Sequence, residues 1–163
     1  TGTMLDMSGV ASGSVDALFS SHNIEHLYPH EVPQALAEFR RVLTPEGFAV
    51  ITCPDLQSVC ALIAADKLTE PAYHSPAGPI APLDILYGYR PSMQAGNLYM
   101  AHRCGFTQRV LMATLQAAGF ASVATFQRAA PFFDLWALAT VQACPEVQLK
   151  TGAQAHFPLK NSQ

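Results

Sequence analysis

An α/β domain, with parallel strands joined by crossover helices and a C-terminal pair of antiparallel strands, is predicted by three features of this 163-residue sequence. VDALFS (15–20) and FAVITC (48–53) are apolar runs of strand length with an amphipathic helical pattern between them. A second helical pattern, LQSVCALIAA, follows the second run directly. Near the end, FASVATFQR (120–128) and FFDLWALATVQ (132–142) are separated only by Ala129-Ala130-Pro131, a link that suits antiparallel neighbours. Strand, helix, strand, helix in quick succession implies right-handed crossovers and a layered sheet.

The elements follow in order. VDALFS has the β-branched and aromatic character of a strand and runs into polar SSHN, which reads as a loop. In PQALAEFRRVL (33–43), Leu36, Phe39 and Leu43 recur at i, i+3 and i+7, with Val32 and Ala35 on the same face, and Pro33 suits a first helical turn. Thr44-Pro45-Glu46-Gly47 is a turn by composition. FAVITC is apolar throughout, as a strand covered on both faces should be. Asp55 is placed to cap a helix in which Leu56, Val59, Leu62 and Ile63 share a face. Residues 66–105, with Pro71, Pro76, Pro79, Pro82 and Pro91, read as a long loop or lid. Thr107 is a plausible N-cap for QRVLMATLQAA, predicted to bury Val110, Leu111, Thr114, Leu115 and Ala118 and to stop at Gly119. The domain is expected over 1–143, and 144–163 reads as a polar, loosely ordered tail.

Half of the residues are hydrophobic and 13% are charged, too apolar for a disordered chain and too interrupted for a membrane span. The net charge of −3 comes with no basic cluster beyond Arg40-Arg41, so neither nucleic acid nor an anionic membrane is an expected partner. Cys53, Cys60, Cys104 and Cys144 are scattered without metal or disulfide spacing, which suggests reduced thiols and a cytoplasmic setting. No signal peptide is visible, and the start at Thr1, entering patterned sequence almost at once, suggests a fragment.

The stretch SSHNIEHLYPHE (20–31) poses a question of metal binding, because HNIEH fits the H-x-x-E-H pattern of zinc hydrolases. That chemistry needs His22 and His26 one turn apart on a helix, Glu25 as general base, and a third protein ligand such as Glu31 or Glu38. His22 lies directly after a strand, where helical spacing is not assured, and a five-residue pattern arises easily among six histidines. No metal is therefore expected, and zinc hydrolysis is a distant third reading. The bland alternative is a capped turn with His26 hydrogen-bonded beneath the domain.

VDALFSSHNIEHL followed by ALAEFRRVLTPEGFAVITCPDL resembles the class I S-adenosylmethionine-dependent methyltransferases, closest to the methyltransferase type 11 group. The matched positions are Asp16, Ser20-Ser21-His22, Glu25-His26-Leu27, Arg41-Val42-Leu43, Pro45, Gly47 and Pro54-Asp55, and Glu46 departs from the family's usual glycine. HRCGFTQRVLMATLQAAGFASV (102–123) looks like the family's late helix, so the resemblance covers roughly 3–142, with 66–101 unmatched in detail. It implies a partial Rossmann-like fold, S-adenosylmethionine as cofactor and an unknown methyl acceptor. It also implies that the chain is N-terminally truncated, since the family's glycine-rich loop is not found before Thr1 and Gly9 and Gly13 read as loop.

Ligands of such folds bind at the carboxyl ends of the parallel strands. The resemblance thus implies Asp6 and Met7, after a short strand GTML, at the adenine edge, and Ser20, Ser21 and His22 beside the methionine portion or the transferred methyl. His22 is the candidate catalytic base, with an ordinary pKa near neutrality. Tyr89, His102 and Arg103 are candidate acceptor-binding residues; Asp6, the serines, His102 and Arg103 each have a purely structural rival role. VDALFS would lack its first-strand partner. The chain is therefore expected to form a homo-oligomer through the exposed strand edge, or to fold residues 1–7 over it. A non-catalytic oligomerising remnant of the methyltransferase fold is the alternative function.

Overall fold

The computed structural model describes residues 3–158. Four strands form one sheet in the order β1-β2-β6-β5. Strand β1 (Val15–Ser21) runs parallel to β2 (Leu43–Pro54), and β6 (Asp134–Thr140) is antiparallel to both β2 and β5 (Ser122–Arg128). The parallel pair is joined through α1 (Val32–Val42), and α2 (Leu56–Ala64) leaves the carboxyl end of β2. The parallel unit and the closing hairpin thus stand as the sequence predicts. The turn-like TPEG is absorbed into β2 as an irregularity. The register jumps from Val15↔Leu43 to Ala17↔Phe48, so Thr44–Gly47 loop out against one residue of β1. A Cβ on Gly47 would sit 3.0 Å from the Thr44 carbonyl and 3.1 Å from that of Asp16, which is why glycine stands there.

The period of two along β2 explains why FAVITC is apolar throughout. Ala49, Ile51 and Cys53 face the main core with Leu135, Ala137 and Ala139 of β6. There Leu36 and Phe39 of α1 meet Leu111 and Leu115 of α5 (Gln108–Ala117), which Thr107 caps by accepting the Val110 amide. Val110 itself is 44% exposed and not buried as its spacing suggested, because it lines an open surface groove opposite Pro29, Val32 and Pro33. On the opposite face Val50 and Leu138 pack with Phe157.

Phe157 follows α6 (Glu146–His156), a helix where a loose tail was expected. Leu149, Ala153 and Phe157 recur at i, i+4 and i+8 and give it a narrow apolar stripe against the sheet. The 66–105 segment likewise differs from an open loop. It holds a hairpin of β3 (Tyr73–Ser75) and β4 (Gly78–Ile80), then α3 (Pro82–Tyr87) and α4 (Arg90–Gln94). Ile80 and Ile85 pack on Val59 of α2 and on Phe133, a second small core that organises the segment. Arg90 grips Asp84 at 2.7 Å through Nε and at 3.1 Å through Nη2. Burial pushes the Asp84 carboxyl up, but Arg90 and the Ala81 amide outweigh it and leave the group below its ordinary range.

The expected strand GTML is absent in its described part. Thr3 and Asp6 make an isolated bridge around a turn at Met4-Leu5, and Thr1 and Gly2 lie outside the described residues. Nor do residues 3–7 add a strand to β1, which among the described residues pairs on one side only. Instead Met4, Leu5 and Met7 pack against the main core. No described helix is long and apolar enough to cross a membrane.

Candidate functional site

At the carboxyl tip of β1 the chain turns sharply. Ser20 is buried, Ser21 Oγ lies 3.0 Å from Thr52 Oγ1, and the His22 amide donates to the Thr52 carbonyl at 3.0 Å. His22 has φ 50°, a left-handed backbone that costs a non-glycine residue about 1 kcal/mol or more and is held by its surroundings. Only a 3-10 turn, Ile24–His26, follows before α1. His22 and His26 therefore do not share a helix face, and the zinc-hydrolase geometry is not formed. Glu31 accepts the Tyr28 amide and Glu38 binds Arg41, so neither stands as a third ligand.

Asp6, Met7 and Ser20 line one groove of ≈ 620 Å³ at this tip, with Leu18 and Phe39 on its apolar side; Ser21 and His22 lie outside its lining. The wall containing Asp6 and Met7 is tied to α1 by side chains. Glu38 accepts the Met7 amide at 2.8 Å, while Arg41 donates to the carbonyls of Met7 and Val10 at 2.9 and 3.0 Å and to Ser12 Oγ at 3.0 Å. Ser8 caps the turn by donating to Asp6, and its hydroxyl and amide hold the Asp6 carboxyl below its ordinary range.

On the far side of His22 lies a second polar group. Glu25 is 1% exposed, and His22 Nδ1 comes within 3.3 Å of its Oε1, a contact that raises the imidazole pKa. His102 follows the 3-10 turn Leu98–Met100, with Nδ1 2.8 Å from the Ile85 carbonyl; burial lowers its pKa. A Cβ on Gly88 would collide with the Met100 carbonyl, so glycine there lets this stretch lie against the end of α3. The His26 and His102 rings meet edge to face at 4.9 Å. Arg103 braces the arrangement, donating to the His26 carbonyl at 2.7 Å and lying over the Tyr28 ring. Tyr89 takes no part, because its hydroxyl donates to the Ala77 carbonyl of the β3–β4 turn at 2.6 Å. Sequence reasoning missed Glu25 and His26 as companions of His102. The available signal was a glutamate set between Ile24 and Leu27, both core residues.

Residues 1–51 match the family model described as "Methyltransferase domain". No curated protein matches significantly. Among solved structures, the chain is similar to a Thermotoga maritima SAM-dependent methyltransferase described as a possible histamine N-methyltransferase (14% identity, TM-score 0.55, covering 86% of this chain and 62% of that one). It is also similar to the PH0226 protein of Pyrococcus horikoshii (15% identity, TM-score 0.57, 86% and 57%). A third is the 1,6-didemethyltoxoflavin-N1-methyltransferase of Burkholderia thailandensis, solved with 1,6-didemethyltoxoflavin and S-adenosylhomocysteine (17% identity, TM-score 0.52, 83% and 47%). The fold is thus that of the class I methyltransferases, Rossmann-like with a C-terminal antiparallel pair. The chain spans about half to three-fifths of the length of these structures.

Proposed function

We propose that this chain serves S-adenosylmethionine-dependent methyl transfer to an acceptor still to be identified. The observation that carries the reading is the convergence of Asp6, Met7 and Ser20 on one groove at the carboxyl end of a parallel strand, within a methyltransferase fold. The groove's volume falls within the range of small-molecule sites, and its mixture of a carboxylate, a serine and apolar walls suits a nucleoside with an aliphatic tail. Asp6 would accept from the adenosine portion, with Met7 and Leu18 against its flat faces and Ser20 toward the amino-acid end. When bound, S-adenosylmethionine supplies an electrophilic methyl for in-line displacement. The protein's part is alignment and exclusion of water. His22 borders the acceptor side in this reading. Because Glu25 raises its pKa, it holds a proton to higher pH than a free imidazole and suits an acceptor that arrives already nucleophilic. His102, Arg103 and the compact 66–105 segment would close over that side. Four free cysteines support a reducing, cytoplasmic setting.

Calorimetric titration with S-adenosylhomocysteine tests the reading. Saturable binding is expected for the native chain, with loss on Ser20→Trp, which fills the groove; a folded native chain that shows no binding at millimolar ligand refutes it.

A second reading concerns assembly. Among the described residues β1 has a partner on one side only, and Phe19 on it is 64% exposed despite stacking on Trp136. An unpaired apolar edge recruits another strand, and we assign that place to a second copy of this chain. Light scattering is expected to give a dimer that Phe19→Lys converts to monomer, and a monomeric native chain excludes it.

A further inference from the structure

We propose that Glu25, His26 and His102 form a binding site for a divalent transition metal of the zinc type. One ligand atom from each lies within 4.8 Å of the others. Glu25 is 1% exposed, and neither of its carboxylate oxygens has a hydrogen-bond partner among the described residues. His22 Nδ1, at 3.3 Å from Oε1, satisfies the distance of an ion pair without the angle of a hydrogen bond, and it leaves Oε2 unaddressed. A carboxylate placed this deeply, with one off-angle imidazole beside Oε1 and no donor on Oε2, is undercompensated and favours a further cation.

The two imidazoles are prepared to do so. His26 Nδ1 lies 3.1 Å from the Ala101 carbonyl and His102 Nδ1 lies 2.8 Å from the Ile85 carbonyl. A carbonyl can only accept, so each Nδ1 carries the proton and each Nε2 keeps its lone pair. Backbone carbonyls fix metal-binding histidines in this way, setting both tautomer and ring orientation. The backbone is held as firmly. The Glu25 carbonyl accepts the Arg103 and Cys104 amides at 2.8 and 3.2 Å, and Cys104 Sγ donates to the Ile24 carbonyl. Two distant stretches of chain are thereby locked side by side with their ligands on facing sides.

Ions of this class hold nitrogen and oxygen at about 2.0–2.2 Å, which places neighbouring ligand atoms about 3.3–3.6 Å apart in a tetrahedron. From 4.8 Å, a closure of about 1.2–1.5 Å in the widest separation, within the reach of side-chain rotation, would bring these three onto one ion. Two imidazoles and one carboxylate favour a borderline cation such as Zn²⁺ over Mg²⁺ or Ca²⁺. Three protein ligands leave a coordination position open. The ion would clasp the turn after β1 to the segment that carries His102. This site shares no residue with the Asp6 groove, so metal binding and S-adenosylhomocysteine binding are separately measurable, although Glu25 and His102 also border the acceptor side.

The test uses the full chain, in a Cys60→Ser background that removes the exposed thiol, stripped with chelator and titrated with Zn²⁺. Binding of one Zn²⁺ per chain with a raised Tm is expected, and His102→Gln and Glu25→Gln should each weaken it by about tenfold or more. Failure of the native chain to bind, or binding that both substitutions leave unchanged, overturns the site. Should either variant fail to fold, Co²⁺ bound to the Cys60→Ser chain decides. Visible d–d bands without thiolate charge transfer support the nitrogen and oxygen ligands, and thiolate charge transfer or no bands refutes them.

Discussion

Asp55→Ala is expected to destabilise the domain by about 3–5 kcal/mol, read as a lower midpoint in urea with an unchanged slope. Asp55 is fully buried where β2 hands over to α2, and its carboxylate accepts the amides of Gln57 and Ser58, the Ser58 hydroxyl and the Gln127 side-chain amide. Loss of a helix cap alone costs about 1 kcal/mol. The remainder arises because half-buried donors on Ser58 and Gln127 lose their acceptor, at the lower end, about 1–2 kcal/mol each, of the cost of an unmet buried donor. Asp55 thus joins α2 to β5 through one side chain. Asp55→Asn, which keeps an acceptor oxygen, should recover part of the loss.

Arg41→Ala is expected to leave the core folded and to weaken S-adenosylhomocysteine binding by about tenfold, by the loss of a preorganised groove wall. Three of its hydrogen bonds reach Met7, Val10 and Ser12, and two more hold Glu38, whose other partner is the Met7 amide. The same link sets a pH dependence. Arg41, and then the Met7 amide, lower the Glu38 pKa from 4.5 to about 2. A depressed carboxyl contributes in full above its unfolded value, so the contribution is present above pH 4.5 and is lost as the pH falls toward 2. Proteolysis near residues 3–10 should therefore accelerate over that range in the native chain and be fast at every pH in Arg41→Ala. Equal binding by the two proteins would show that the groove wall needs no tether.

The parts of the fold that were legible are those in which local pattern and tertiary packing agree. Val32, Ala35, Leu36 and Phe39 recur at helical spacing and are all buried in α1, and Asp55 and Thr107 cap the helices their positions suggested. Where an element depends on distant partners, the pattern was silent. Helix α6 carries only a thin stripe, Leu149, Ala153 and Phe157, so composition alone pointed to a tail. The short elements between Tyr73 and Tyr87 are held by Val59 and Phe133, which lie outside the segment in sequence. The site divides along the same line. Asp6, Met7 and Ser20 meet in one groove, and a resemblance could point to them because they are close in sequence to a motif. Glu25, His26 and His102 meet only through the path of the chain around α3, which no spacing within HNIEH could disclose.

The two faces of the sheet are unequally clothed. One side is sealed by α1 and α5, whereas the other rests on α6 and the ring of Phe157, close to the end of the described chain. A sandwich so lopsided breathes from its thin side. Amide protons of α6 should exchange with solvent long before those of Ile51 or Ala137, so that helix is expected to detach while the sheet beneath it stays closed.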